Sequence, residues 1–208
     1  MNSKKNTIRK TEDVLSVLCT SVSSVLSKAT ASEIRYSPTI QKITKTCLKP
    51  DIGCFVLFEG AFSGLIIINM SASAAVEIYQ SYMENMGMSE KDLAVNHTAD
   101  EVSNTLGELM NQMVGNFQGQ LELLADLSLY QTQPKMLVIN KELVLSFNTN
   151  LDRPQSRRVV FTTEKRNTFY LEMSMEKTEF VFLDNEDSDD RQLLKKKDPN
   201  EMIEDLDI

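Results

Sequence analysis

The chain has few of the residues that bind metal ions. It contains one histidine, His97, and three cysteines, Cys19, Cys47 and Cys54, in 208 residues. No cluster of His, Cys or carboxylates repeats at the spacing of a metal-binding motif, so we expect no metal site on this chain. We interpret His97 as a loop or capping residue. An odd, scattered set of cysteines is typical of free thiols in a reducing compartment, which predicts a cytoplasmic location.

Long apolar runs, a basic stripe and a glycine-rich phosphate loop are also missing. No run reaches the roughly 18–20 apolar residues of a membrane helix, so we expect no membrane segment. The formal net charge is −8, and no stripe of Lys and Arg forms the surface that nucleic-acid binding requires. Because no Gly-rich loop follows a predicted strand, we expect no cofactor on this chain.

Length and composition indicate one globular domain with polar ends. Apolar residues make up 41% and charged residues 25% of the chain, as in ordinary soluble proteins. Residues 184–208 hold ten acidic and four basic residues and few large apolar ones, a composition typical of disorder. We predict a disordered basic arm at residues 1–10, a folded domain at 11–183 and a disordered acidic tail at 184–208.

The order of apolar and turn residues predicts an α+β fold. Two helices are indicated at residues 11–30, with Thr11 as N-cap, and at 71–88, with Ser71 or Ser73 as N-cap. The remaining apolar stretches indicate strands, so we predict a two-layer architecture: an antiparallel β-sheet with long helices packed on one face. Strand structure is expected at residues 32–48, in hairpins at 53–70, 135–150 (turning at Asn140-Lys141) and 157–175, and in a short strand at 179–183.

One stretch, residues 98–124, combines a core-facing side with an unusual polar side. At about 100° per residue, the angle of an α-helix, its apolar residues fall on one face and its polar residues on the other. The expected core stripe comprises Val102, Leu106, Leu109, Met113, Phe117 and Leu124. The polar stripe comprises Glu101, Asn104, Glu108, Asn111, Gly115, Gln118 and Glu122.

A polar helix face is ordinarily just solvated, but this one differs in composition. Gly107, Gly115 and Gly119 lie on or beside it, although each interior Gly costs about 1 kcal/mol relative to Ala. No Lys or Arg occurs between Lys91 and Lys135, so the face lacks the opposite charges that stabilise exposed helices. A bare, cation-free face favours close approach of a partner that carries positive charge.

The sequence GELMNQMVGN within this helix resembles the signature helix of the CheC, CheX and FliY phosphatases of bacterial chemotaxis. Their pattern is Asp or Ser, three residues, Glu, two residues, Asn, and a Pro after a gap of twenty-two. Here Glu108 and Asn111 take the Glu and Asn positions, and Pro134 follows the gap. Asn104 stands at the Asp/Ser position, which is a departure from the pattern.

The resemblance implies a CheX-like fold and a function in two-component signalling. It implies removal of phosphate from a phospho-aspartyl, CheY-like response regulator, with Asn111 orienting the attacking water and Glu108 docking to a lysine of the regulator. Mg²⁺ is then expected on the regulator, not on this chain. The resemblance also implies a homodimer formed through the sheet.

Two residue pairs extend this interpretation, and two rival functions stay open. Glu101 and Asn104 repeat the Glu-x-x-Asn spacing one heptad earlier, and we interpret them, with Gly115 and Gln118, as partner-binding residues, although simple surface polarity also explains the pair.

The first rival function is a non-catalytic CheX-like module that sequesters or scaffolds a receiver or another signalling protein. The second is a sensor domain that encloses a small ligand.

Overall fold

The computed structural model describes residues 8, 10–144 and 154–180, and within them the chain folds as two layers. One layer consists of the helices α1 (Thr11–Thr30), α2 (Ala72–Asn85) and α3 (Asp100–Ala125), with a 3₁₀ turn at Glu90–Asp92. The strands in the described part are β1 (Arg35–Tyr36), β2 (Gln41–Ile43), β3 (Cys47–Leu48), β4 (Ile52–Gly60), β5 (Gly64–Met70), β6 (Leu129–Gln131), β7 (Lys135–Val138), β8 (Leu143–Val144), β9 (Gln155–Thr162) and β10 (Thr168–Met175).

Eight strands form one antiparallel sheet. Its order is β1-β9-β10-β5-β4-β6, with β2 also paired to β9 and β7 also paired to β4. The predicted hairpins at residues 53–70 and 157–175 are present as β4–β5 and β9–β10. All three helices pack together on one side of this sheet. The predicted α+β class, with an antiparallel sheet and helices on one face, is confirmed.

The predicted hairpin at residues 135–150 is wrong. Strand β7 pairs with residues 52–55 of β4, and β8 pairs with β3 in a separate two-stranded sheet. Strand β4 is nine residues long, and β6 covers its outer edge only at residues 58–60, so β7 completes that edge. Residues 145–150 lie outside the described residues, as do 181–183 of the strand predicted at 179–183; residues 179 and 180 are in no strand.

The helix ends show which cap predictions hold. Thr11 is the first residue of α1 and is buried, so its assignment as N-cap is wrong; Lys10 is the N-cap. The carboxylate of Asp13 accepts a hydrogen bond from the Lys10 N–H at 2.9 Å, which satisfies a main-chain donor at the helix start. Ser71 caps α2 as predicted, since its Oγ accepts from the Ala74 N–H.

The core lies between the helices and the inner face of the sheet. Five of the six predicted core residues of α3 are buried, but Leu124 is 36% exposed. Leu121 is buried in its place, because it lies one turn after Phe117 whereas Leu124 lies in the last turn. The helix ends at Asp126, whose φ of 55° turns the chain away towards β6.

The outer face of the sheet is partly covered by the segment around β3. The Asn69 side chain donates to the Cys47 carbonyl at 2.9 Å and accepts from the Lys49 N–H at 2.7 Å. The Cys47 N–H donates to the fully buried carboxylate of Glu172, which also accepts from Arg158. These side chains provide hydrogen bonds that a neighbouring strand would otherwise make to the main chain around β3. The segment can therefore lie on the sheet with Leu48 buried.

The two terminal segments stay predictions. Residues 1–7, 9 and 181–208 lie outside the described residues, although Ile8, inside the predicted arm, is buried in the core. None of the helices in the described part is long and apolar enough to cross a membrane.

A charged contact ties α1 to the sheet and makes stability depend on pH. The Arg157 guanidinium donates to the Glu12 carboxylate at 2.8 and 3.0 Å, and this hydrogen bond lowers the pKa of Glu12 from its ordinary value near 4.5. Because the pKa is lower in the folded state, the contact stabilises the fold above the unfolded pKa. That stabilisation is lost as the pH falls through the folded pKa.

We therefore expect Glu12→Gln to reduce the free energy of unfolding at pH 7 by about 1 kcal/mol, a value that allows for the partial exposure of Glu12. Urea unfolding at pH 7 and pH 3 measures the change, and the difference between variant and wild type should be smaller at pH 3. Glu33→Gln, at a fully exposed pair with Arg35, is the matched control and should leave stability unchanged. An equal loss at both pH values would contradict this assignment.

Candidate functional site

The polar stripe predicted on α3 lies on the side of the helix that faces away from the core. Exposure varies along the stripe, because the first turns of the helix are in solvent while its middle runs beside the sheet edge. Glu101, Asn104, Glu108 and Gly115 are exposed, and Asn111 and Gln118 are half-buried.

Glu108 and Asn111 lie one turn apart on α3 and project from the same side of the helix. Glu108 accepts a hydrogen bond from Gln112 Nε2 at 3.2 Å, in solvent. No Lys or Arg forms an ion pair with Glu108 among the residues that the structure describes. The structure therefore brings an exposed carboxylate and a half-buried amide together, with the negative charge of Glu108 uncompensated.

The amide of Asn111 contacts the edge of the sheet. Its Oδ1 accepts from Gln131 Nε2 at 3.5 Å. Gln131 is the last residue of β6 and pairs with Phe58, which belongs to the helix-side core, so both side chains lie on the face towards α3. Sequence reasoning missed Gln131, because the contact joins residues twenty positions apart and no local pattern marks it.

The edge strand beside α3 is interrupted at Pro134, between β6 and β7. Proline has no N–H to donate to a strand ladder and is tolerated at such breaks. Thr132 bridges the interruption with two hydrogen bonds to Leu57. Its side-chain Oγ1 accepts from the Leu57 N–H at 3.1 Å, and its main-chain N–H donates to the Leu57 carbonyl. After the break, Met136 lies over Gly107 of α3. Pro134 therefore lies in the break that separates Gln131 from Met136, the two residues of this edge that contact α3.

The glycines of the stripe are not needed for packing within the described chain. A Cβ built on Gly115 or Gly119 meets nothing within 4 Å, and one on Gly107 reaches only Met136, at an ordinary contact distance of 3.5 Å. None of the three has a positive φ. The face around Gly115 is thus open to another molecule, at a cost in helix stability.

One residue of α3 and one of β6 carry a buried amide atom without a hydrogen-bond partner in the described part of the chain. Three buried side-chain polar atoms in the described residues have no hydrogen-bond partner, and two of them are Gln118 Nε2 and Gln131 Oε1. An unsatisfied buried polar group costs about 1–3 kcal/mol. Such groups are uncommon and each calls for a specific explanation. They border the same polar stripe that carries Asn111.

His97 lies elsewhere, in an open groove of about 380 Å³ beside the start of α2. The buried carboxylate of Glu77 in that groove accepts from the Thr163 hydroxyl at 2.6 Å and from the Asn167 amide at 2.7 Å. Glu77 thus joins α2 to the turn between β9 and β10. No group of three His, Cys, Asp or Glu side chains suited to a metal ion occurs among the described residues.

The three cysteines are unpaired and buried. Burial raises the pKa of the Cys19 and Cys54 thiols to about 12, so neither forms a nucleophilic thiolate at neutral pH. The chemistry available on the stripe is therefore that of amides and carboxylates: accepting hydrogen bonds, positioning water and attracting a cation.

Comparison with solved structures identifies the fold. CheX from Desulfovibrio desulfuricans is 15% identical, with a TM-score of 0.63 over 79% of this chain and 99% of that one. CheX from Vibrio vulnificus is 15% identical, with a TM-score of 0.64 over 79% and 99%. The CheX–CheY–BeF₃–Mg²⁺ complex from Borrelia burgdorferi is 17% identical, with a TM-score of 0.52 over 79% and 98%. The expected CheX-like fold is confirmed.

Comparison of the sequence gives the family. No curated protein matches the chain. A family described as "Protein of unknown function (DUF3334)" matches residues 5–207, which include the acidic segment at 184–207. Because that match covers nearly the whole chain, the protein belongs to the DUF3334 family.

Proposed function

We propose that this chain dephosphorylates a phospho-aspartyl receiver domain of a CheY-like response regulator. The proposal rests mainly on two residues one turn apart on α3, exposed Glu108 and half-buried Asn111. The face that carries them contains glycines that leave open space and has no Lys or Arg. The fold supports it, since a protein of the same fold was crystallised with CheY, BeF₃ and Mg²⁺.

The reaction is hydrolysis of an acyl phosphate, and the reacting centre and its Mg²⁺ belong to the partner. Water attacks phosphorus, the bond between phosphorus and the aspartyl oxygen breaks, and aspartate and inorganic phosphate are released. The role of Asn111 is to accept a hydrogen bond from that water and hold it in line with the breaking bond. Catalysis here is positioning, which suits an amide.

Glu108 acts in docking rather than in bond breaking. Its carboxylate is solvated and bonded only to Gln112 among the hydrogen bonds of the described residues. A lysine at the receiver's active site can replace solvent without breaking an existing ion pair. An interaction of this kind raises affinity and association rate more than it changes the chemical step.

The rest of the stripe forms the contact surface around these two residues. Glu101 and Asn104 are exposed two turns and one turn before Glu108, respectively, and Gly115 is exposed one turn after Asn111. Gln118, with its unpaired Nε2, extends the surface to two turns beyond Asn111. Asn104 replaces the Asp or Ser of the resembled pattern and keeps a small polar side chain there. We assign the reaction to the cytoplasm, where three unpaired thiols remain reduced.

We also propose that the chain is a homodimer. Strand β7 pairs only with β4 among the described strands, so its other edge is open. Apolar side chains on β7 and β8 are 37–51% exposed, which is unusual for a monomer's sheet edge. They are Leu137, Val138, Leu143 and Val144.

The first prediction from the proposed function concerns the decay of a phosphorylated CheY-like receiver from the same genome. Wild-type protein should accelerate the decay, and Asn111→Ala should reduce kcat by at least about 100-fold because the water loses its positioning group. Glu108→Gln should mainly raise KM, by roughly tenfold. Time courses at several receiver concentrations separate kcat from KM. Asn116→Ala and Glu84→Gln, at exposed positions outside the proposed surface, are the matched controls.

The same assay tests the rival function. If wild-type protein binds the phosphorylated receiver without accelerating its decay, the chain is a binding module and the catalytic role of Asn111 is wrong. If it neither binds nor accelerates, the proposed partner class is wrong.

A second prediction separates stability from docking at Gly115. Gly115→Ala should raise the free energy of unfolding by about 1 kcal/mol, because the helix gains propensity and the methyl group enters open space. The same methyl group should raise KM for the receiver roughly fivefold, about 1 kcal/mol in binding. Urea unfolding and the decay assay measure the two changes. A more stable variant with unchanged KM would show that no partner approaches Gly115.

A third prediction concerns the oligomeric state. Light scattering at micromolar concentration should give a dimer mass for wild-type protein. Val138→Asp combined with Val144→Asp should give a folded monomer, because two charges would be buried in the interface. Val95→Asp, at a position 82% exposed in a loop, should remain dimeric. A monomer mass for wild-type protein would refute the dimer.

A further inference from the structure

We propose that Gln131 is a positioning residue that fixes the orientation of the Asn111 amide; this inference rests on the proposed function. An amide that orients water must present its oxygen, not its nitrogen, to that water. The side chain of Asn111 is free to exchange the two groups by rotation unless a neighbour distinguishes them. Gln131 is the residue in contact that makes this distinction.

The contact between the two side-chain amides fixes which atom of Asn111 faces Gln131. Gln131 Nε2 donates to Asn111 Oδ1 at 3.5 Å, which is long for a hydrogen bond. Hydrogen bonds of catalytic groups are often long in the free enzyme and shorten in the complex. A carbonyl oxygen has two lone pairs, so one accepts from Gln131 and the second remains for the water.

Two further observations favour this role over simple packing. Gln131 Oε1 is buried without a partner in the described residues, so the bond from Nε2 to Asn111 is the contact that accounts for a glutamine here. An apolar side chain of the same length would fill the space without that cost of about 1–3 kcal/mol. Gln131 also extends from a strand end that Thr132 fixes through two bonds to Leu57. Asn111 is thus held by a group on a different, firmly paired element.

The test uses Gln131→Met, which keeps the length and removes the donor. With the phosphorylated receiver as substrate, we expect kcat to fall about tenfold while KM stays within about twofold, since orientation is lost and docking is kept. Gln133→Met, at an exposed position two residues on, is the matched control. In an Asn111→Ala background, Gln131→Met should cause no further loss, because a residue that acts only through Asn111 has nothing left to position.

A second measurement does not depend on activity. NMR relaxation of the Asn111 side-chain amide should show a rigid group in wild-type protein and in Gln133→Met, and a mobile one in Gln131→Met. Unchanged rigidity in Gln131→Met would overturn the positioning role even if the protein is a phosphatase. An unchanged kcat, or a further tenfold loss in the Asn111→Ala background, would overturn it as well. If wild-type protein has no phosphatase activity, the proposed function fails and so does this inference as a statement about catalysis, whereas the relaxation data still decide the contact.

Discussion

The candidate site depends on the contact between α3 and the interrupted edge strand formed by β6 and β7. Pro134 interrupts the pairing of that strand with β4. Thr132 bridges the break: its Oγ1 accepts from the Leu57 N–H, and its main-chain N–H donates to the Leu57 carbonyl. The interruption places Gln131 before the break and Met136 after it, each against a different turn of α3. Without this contact the middle of α3 would be as exposed as its first turns, and Asn111 would be an ordinary surface amide.

The difference in exposure between Glu108 and Asn111 suits their different proposed tasks. A carboxylate retains its charge most easily in water, and burying it without a partner would be costly. Glu108 therefore belongs in solvent until a cation arrives. An amide carries no charge and tolerates partial burial when one of its atoms is hydrogen-bonded. That hydrogen bond restricts the orientations of the Asn111 side chain, so less conformational freedom would be lost in the proposed binding of water. One helical turn is enough to provide both environments, because Asn111 contacts Gln131 at the sheet edge whereas Glu108 is bonded to Gln112 of its own helix.

Local sequence patterns predicted the helices, two hairpins and the polar stripe, because each depends on periodicity or on turn residues within a few positions. The bounds of α1 and the cap at Ser71 follow from such signals. The pairing of β7 with β4 did not follow, since it depends on how much of the β4 edge remains open in three dimensions. Leu124 was assigned to the core because the pattern continued, whereas the chain turns away at Asp126.

The candidate site shows the same limit. Glu108, Asn111 and Pro134 could be found because the spacing along the chain is itself the signal. Gln131 could not, because its partner is on another element and glutamine is common at strand ends in solvent. Its unpaired oxygen becomes visible only once burial is known. Residues that orient a functional group generally lie on another element of the fold. A sequence pattern can therefore identify the functional group, but not the neighbour that orients it.

Three glycines in α3 lower helix stability by roughly 2–3 kcal/mol in total, a substantial part of the 5–15 kcal/mol by which a typical domain is stable. The fold must offset this elsewhere, and three of its buried polar side chains make contacts away from α3. Glu172 and Asn69 hold β3 on the outer face of the sheet, and Glu77 holds the turn between β9 and β10. Because these contacts involve no residue of the polar stripe, glycine on that face of α3 does not weaken them. A helix shaped only by stability would have alanine at Gly115 and Gly119, so the two glycines are consistent with the proposed close approach of a partner to that face.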